Sequence, residues 1–430
     1  MKNTMNEMLL KYVAGLISIN VCAMAMAGCT ANLTENTDSS TSLTAVSTAV
    51  DTTDTIDTVN TDDTTETVTT SLNTSVSGGL YSAGDLFTDR DLTQTADLSG
   101  AVTYTVTDGK DITITEAGVY VLSGTASDVT VTVNAGSDDK VQLVLDDVSI
   151  TNADSPCIYV KQADKVFVTT TGSHNTLSVT GTFTADGDTN TDGVIFSKDD
   201  LVLNGTGTLT ISSTDNGVVC KDDLRITGGT YNVTASSKAF EANDSLRIAG
   251  GTFTVTAGTD GFHAENNDDN NLGYIYIAGG QFTVKAGDDG IHATTVAQID
   301  GGSLAISAAE GIEATCIQIN GGTVNIESWD DGINAARKSS AYTPTVEITG
   351  GDITITMGVG DTDGVDSNGN IIITGGTVNV TGQSSFDYDG TATFTGGTVI
   401  VNGQQVDTLP DQMMGGGMGG RGMGGSGGRR

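Results

Sequence analysis

The 430-residue sequence predicts an all-β fold, a parallel β-helix built as a solenoid. Three observations predict it. A phrase centred on Gly-Gly recurs at near-constant spacing, apolar residues alternate with period 2 on both sides of it, and an acidic-Gly-apolar-polar-Ala phrase follows most copies. A period of this length marks a solenoid, and period-2 alternation excludes helical repeats.

Before the repeat comes an export segment. Lys2 and Lys11 precede an apolar run from Tyr12 to Ala27, too short and too broken by Ser18 and Asn20 for a permanent membrane span. Met26-Ala27-Gly28-Cys29 resembles a bacterial lipobox, which predicts lipidation of Cys29 and display on the extracellular side of the cell membrane or outer membrane. A simple cleaved signal is the alternative. Residues 30–79 are mostly Thr, Ser, Asp and Asn, too poor in apolar surface to offset chain entropy, and read as a solvated tether. Residues 80–411 are assigned to the folded domain, with the less regular strands between Val102 and Val179 as first coils and cap. Residues 412–430 form a Gly/Met/Arg low-complexity tail.

Within the domain the repeat is explicit. Leu224-Arg225-Ile226-Thr227-Gly228-Gly229-Thr230-Tyr231-Asn232-Val233 sets the pattern, and copies centre on Gly250, Gly279, Gly301, Gly321, Gly350, Gly375 and Gly396. The intervals from Gly228 are 22, 29, 22, 20, 29, 25 and 21 residues. Each copy reads as two short strands bent at the Gly-Gly, with Ile226, Tyr231 and Val233 facing inward. The two long intervals carry extra residues in the same arc, at 266–273 and 336–344, and insertions on one side mark a binding face. Cys157, Cys220 and Cys316 lack CxxC spacing, which argues against a cysteine zinc site and predicts buried thiols.

The second phrase runs from Asp260-Gly261-Phe262-His263-Ala264 to Asp363-Gly364-Val365-Asp366-Ser367, with a degenerate copy ending in Asp387. Stacked coils put its first and fourth positions into two outward columns. One is Lys238, Asp260, Asp289, Glu310, Asp331 and Asp363; the other is Glu241, His263, His292, Glu313, Asn334, Asp366 and Asp387. Carboxylates about 4.8 Å apart repel by roughly 3–4 kcal/mol at an effective dielectric near 20. Hard oxygen ligands grouped this way suit Ca²⁺, with Asp288 and Asp330 as further carboxylates beside the first column. Turns facing water are the plainer reading, and His263 with His292 reads as a stacked polar pair before a transition-metal site.

The net charge of −36 excludes nucleic acid and anionic bilayers as charge-driven partners. At this point the chain resembles a bacterial family of carbohydrate-binding parallel β-helix lipoproteins, formerly a domain of unknown function. The resemblance rests on the lipobox, the tether, the opening phrase from Ile112 to Gly124, the segment from Val141 to Val148, the Gly-Gly/Asp-Gly-Ile coils and the Gly/Met tail. It implies a calcium-bearing, pectate-lyase-like right-handed β-helix that binds cell-wall polysaccharide, including acidic galacturonan and cellulose. Aromatic faces commonly complete sugar sites. Trp329, Tyr274, Tyr276 and Tyr342 are the candidates, with His263 and His292 as further sugar contacts, and Phe262 reads as core. Two other functions stay open: a calcium-dependent polysaccharide lyase, for which Lys238 is the one basic residue in the first column, and an adhesin or stalk without sugar affinity.

Overall fold

The computed structural model describes residues 79–172, 174–360 and 362–410. The signal segment with Cys29, the tether up to residue 78 and the tail from 411 lie outside the described residues.

The fold is a parallel β-helix. A representative coil has three strands, Ser245–Ile248, Thr252–Ala257 and Phe262–Ala264. The next coil repeats them as Tyr274–Ile277, Gln281–Ala286 and Asp289–Ala293. Each strand pairs in parallel with its equivalent one coil later: Leu246 with Ile275, Phe253 with Phe282 and Phe262 with Ile291. At the C-terminal end Gln404–Val406 turns back antiparallel onto Thr398–Val401.

The Gly-Gly bend works as its chemistry requires. The second glycine of the pair, Gly322 for instance, has φ +86°, a backbone conformation that strains any residue with a Cβ. Alternation then sends one set of side chains into the bore. Tyr231, Phe253 and Phe282 stack there at centroid separations of 5.4 and 4.7 Å, and Phe240 stacks on Phe262 at 5.1 Å. The register that pairs strands therefore also stacks aromatic rings. Cys157 and Cys220 are buried free thiols, and Cys316 is buried as well.

One element is absent from the repeat. Residues 80–98 form a strap of two single-turn helices, Ala83–Leu86 and Asp89–Leu92, laid along the outside of the first face of the coils. The backbone N–H of Tyr81 donates to Gln298 Oε1 at 2.8 Å, and Gln298 Nε2 donates back to the Tyr81 carbonyl at 2.9 Å. Further along, Gly205 N–H donates to Gln94 Oε1 at 2.8 Å, and Lys165 pairs with buried Asp91 at 3.1 Å.

The strap corrects one expectation. Tyr274 and Tyr276 are not free to meet sugar. Tyr81 stacks on Tyr274 at 4.3 Å, Phe87 lies against Tyr276, and the Tyr276 hydroxyl donates to Asp300 at 2.8 Å. Tyr342 packs against the same cluster. These rings face outward from the coil, but the strap covers them.

Phe253→Ala should lower unfolding free energy by about 3–5 kcal/mol by leaving a cavity in the ring stack. Gln298→Ala should cost about 1–3 kcal/mol by stranding the strap's backbone groups. Denaturant unfolding of both variants checks this; equal, near-zero effects would contradict the packing described.

Candidate cation and carbohydrate site

The third face of each coil positions the site. In the acidic-Gly-apolar-polar-Ala phrase, the apolar residue and the alanine point inward, and the first and fourth residues project together on the outside. The glycine is demanded by the neighbouring coil: a Cβ at Gly311 would lie 2.3 Å from the Gly332 carbonyl oxygen and 2.6 Å from Ile326. The coils thus approach too closely at this position for any other residue.

The fourth-position column is continuous. Glu241, His263, His292, Glu313, Asn334, Asp366 and Asp387 are successive register partners. In the first-position column Asp289 pairs with Glu310, Asp289 N–H donates to Asp260 Oδ1 at 3.2 Å, and Asp363 N–H donates to Asp331 Oδ1 at 3.0 Å. The carboxylates form a stripe, and Asp288 and Asp330 lie exposed beside it.

The stripe divides into two electrostatic halves. In the first, the protein supplies its own cations. Glu241 pairs with Lys221 at 2.9 Å and Lys238 at 3.4 Å. His263 Nδ1 meets Asp260 at 2.8 Å, and His292 Nδ1 lies 2.5 Å from Asp289 and 3.1 Å from Glu313. Lys338, from the 336–344 insertion, reaches Glu313 at 2.6 Å. Burial alone would lower the His292 pKa, but its hydrogen bonds to Asp289 and Glu313 dominate and raise it to about 9. Burial disfavours the Asp260 anion, yet the bond to His263 holds its carboxyl below the ordinary range.

The second half has no such compensation. Among the described residues no cation pairs with Glu310, Asp331, Asp366 or Asp387. Burial, then the charges of Glu313 and Asp289, push Glu310 up to about 8. Burial, then Asp331, Asp387 and Asp363, raise Asp366 to about 7; burial with Asp330 and Asp363 raises Asp331 to about 6. Asn334 donates its Nδ2 to Glu310 at 3.0 Å, while its buried Oδ1 has no donor. These carboxylates and the orphaned amide oxygen offer hard oxygen ligands of the kind Ca²⁺ takes, but Glu310, Asp331 and Asp366 do not bring three ligand atoms within 4.8 Å of one another as Asp289, His292 and Glu313 do.

Beside this half, Trp329 is 52% exposed and Val359, in the adjacent turn, 96% exposed. The two turns touch: a Cβ on Gly358 would meet the Trp329 Cα at 3.1 Å. The insertions line the opposite edge of the third face and bond to each other through Ser339 Oγ and the Asn270 carbonyl at 2.8 Å.

Two further expectations are corrected here. His263 is 5% exposed, and its ring stacks on that of His292 at 4.5 Å, so the histidines act as counter-charges inside the stripe, not as sugar platforms. Lys238 is held by Glu241 and is not a free base. Two features lay beyond the sequence expectations. One is Lys338, which sits in an insertion outside the repeat. The other is a second acidic cluster, Asp200, Asp222 and Asp223, in which Arg225 pairs with Asp200 at 2.7 Å and Asp223 at 2.9 Å, Arg247 pairs with Asp223 at 2.8 Å, and burial with the charges of Asp200 and Asp223 pushes Asp222 up to about 6. Its sequence signal is Arg225 and Arg247 at equivalent repeat positions.

The shifts fix a pH dependence. Glu310, Asp331 and Asp366 have folded pKa values above their unfolded ones, so their contribution is present at low pH and lost as pH rises through the folded values. His292, raised likewise, acts in the same direction up to about pH 9. In chelator, the melting temperature should therefore fall between about pH 5 and 9, and Glu310→Gln should flatten part of that fall. A profile that rises over this range would contradict the assignment.

Comparison with known proteins bears on the whole solenoid. A family profile for carbohydrate-binding domain-containing proteins matches residues 108–361 and 311–407. A protein of that description from Acetivibrio thermocellus is 35% identical over 130 residues, which are 29% of this chain and 46% of the relative, so this chain spans less than half of that relative's length. A solved structure described as a polysaccharide lyase-like protein from C. thermocellum, a gadolinium derivative, aligns with 32% identity and a TM-score of 0.48, covering 50% of this chain and 96% of the other. With its profile match running from residue 108 to 407, the chain belongs to the family of carbohydrate-binding domain-containing proteins.

Proposed function

We propose that this protein is a non-catalytic cell-surface polysaccharide-binding lipoprotein that holds plant cell-wall polysaccharide, chiefly acidic pectin-type galacturonan, through Ca²⁺. The observation that carries the reading is the uncompensated half of the stripe. Glu310, Asp331 and Asp366 stand in adjacent coils without a cation, and the Asn334 Oδ1 among them has no donor. An acidic protein binds an acidic polymer only if something offsets both sets of charge. Bound Ca²⁺ supplies that charge and leaves coordination positions open to uronate carboxylates.

The chain's own residues supply the rest. Glu310, Asp331, Asn334 and Asp366 would hold the ion, with Asp363 and Asp387 at the flanks. The exposed Trp329 ring offers a face to a sugar ring beside them. Cellulose would use that aromatic platform without the ion. Lipidation at Cys29 and the tether over residues 30–79 would hold the domain out from the membrane. The geometry supports holding rather than cleaving: Lys238 and Lys338, the lysines on the stripe, are bonded to Glu241 and Glu313.

The test is retention on polygalacturonate with and without EDTA. Wild type should be retained in calcium and released by EDTA, and Asp331→Asn/Asp366→Asn should not be retained. Trp329→Ala should weaken binding about 3- to 10-fold, the equivalent of roughly 0.5–1.5 kcal/mol. Retention indifferent to both EDTA and the double substitution would overturn the calcium reading, and growth of absorbance from unsaturated product would overturn the non-catalytic one.

A further inference from the structure

We infer that Asp289, His292 and Glu313 form a second, chemically distinct cation site that takes Zn²⁺ or a similar transition-metal ion in place of the Lys338 ammonium. This inference does not rest on the calcium reading. It concerns the half of the stripe that the protein itself neutralises.

The donor set separates the two sites. One ligand atom from each of Asp289, His292 and Glu313 lies within 4.8 Å of the others. One imidazole nitrogen with two carboxylate oxygens matches tetrahedral zinc with an open fourth position, whereas calcium takes oxygen ligands only. His292 Nδ1 lies between the two carboxylates, 2.5 Å from Asp289 Oδ2 and 3.1 Å from Glu313 Oε2. Zinc bonds of about 2.0–2.2 Å at tetrahedral angles separate ligand atoms by roughly 3.3–3.5 Å. The side chains need open by only about 1 Å.

The site already holds a removable cation. Lys338 Nζ is 2.6 Å from Glu313 Oε2, and its side chain is 30% exposed, so it can swing into solvent. A divalent ion held there would take over the charge that Lys338 now supplies to Glu313. The surroundings fix the ligands in place. The His263 ring lies 14° from parallel with that of His292 at 4.5 Å, and the Asp260 carboxylate accepts the Asp289 N–H at 3.2 Å.

Titration calorimetry of ZnCl₂ into the calcium-saturated full chain tests the exchange. We expect one zinc bound per chain, no competition from added calcium, and loss of that event in His292→Gln. Lys338→Met removes the competing ammonium and should tighten zinc binding about 10-fold or more, an outcome that a merely structural lysine would not give. Asp366→Asn, at a carboxylate shifted by Asp331, Asp387 and Asp363 and not by the zinc ligands, should leave zinc binding unchanged, which separates this site from the calcium half. Zinc binding that survives His292→Gln, or that Lys338→Met leaves unchanged or weakens, would overturn the inference. If His292→Gln melts too low to be measured, the Lys338→Met result decides.

Discussion

Parallel stacking of coils in strict register is the constraint from which the rest of this structure follows. Strands stacked at about 4.8 Å bring equivalent residues of successive coils into contact along the whole axis. In the bore this gives the Tyr231, Phe253 and Phe282 ring stack and the second stack of Phe240 on Phe262. On the third face the same register brings like charges together. The geometry that stabilises the inside therefore loads the outside with repulsion, and the stripe has to be neutralised.

The chain meets that requirement in two ways along one stripe. From Glu241 to Glu313, lysines and histidines are interleaved with the acids. Glu310, Asp331 and Asp366 have no cation partner among the described residues, and burial with mutual repulsion raises their carboxyl pKa values. A stripe neutralised throughout would be a structural ladder only. The uncompensated half is where a bound cation gains most, and it lies beside the exposed Trp329. The proposed binding site thus lies where the protein supplies no counter-charges of its own.

What the sequence discloses follows the repeat. The Gly-Gly spacing, the alternation and the acidic-Gly phrase each state a local rule, so the coil, its core residues and both outward columns are legible without coordinates. His263, His292, Glu313 and Asp366 fall in one column because each occupies the same phrase position. The strap is not legible, because residues 80–98 match no repeat position and their partners Gln298 and Gln318 are 217 and 238 residues away. That is why Tyr274 and Tyr276, outward by periodicity, are covered in the fold. Lys338 escapes for a related reason: an insertion obeys no register, so its reach to Glu313 exists only in three dimensions.

The most direct measurement is a calorimetric titration of Ca²⁺ into metal-free protein, comparing Asp366→Asn with Asp260→Asn. The account predicts that Asp366→Asn abolishes or strongly weakens calcium binding while Asp260→Asn, whose partner is His263, leaves it intact. Calcium binding that survives Asp366→Asn and is lost in Asp260→Asn would contradict the division of the stripe on which the account depends.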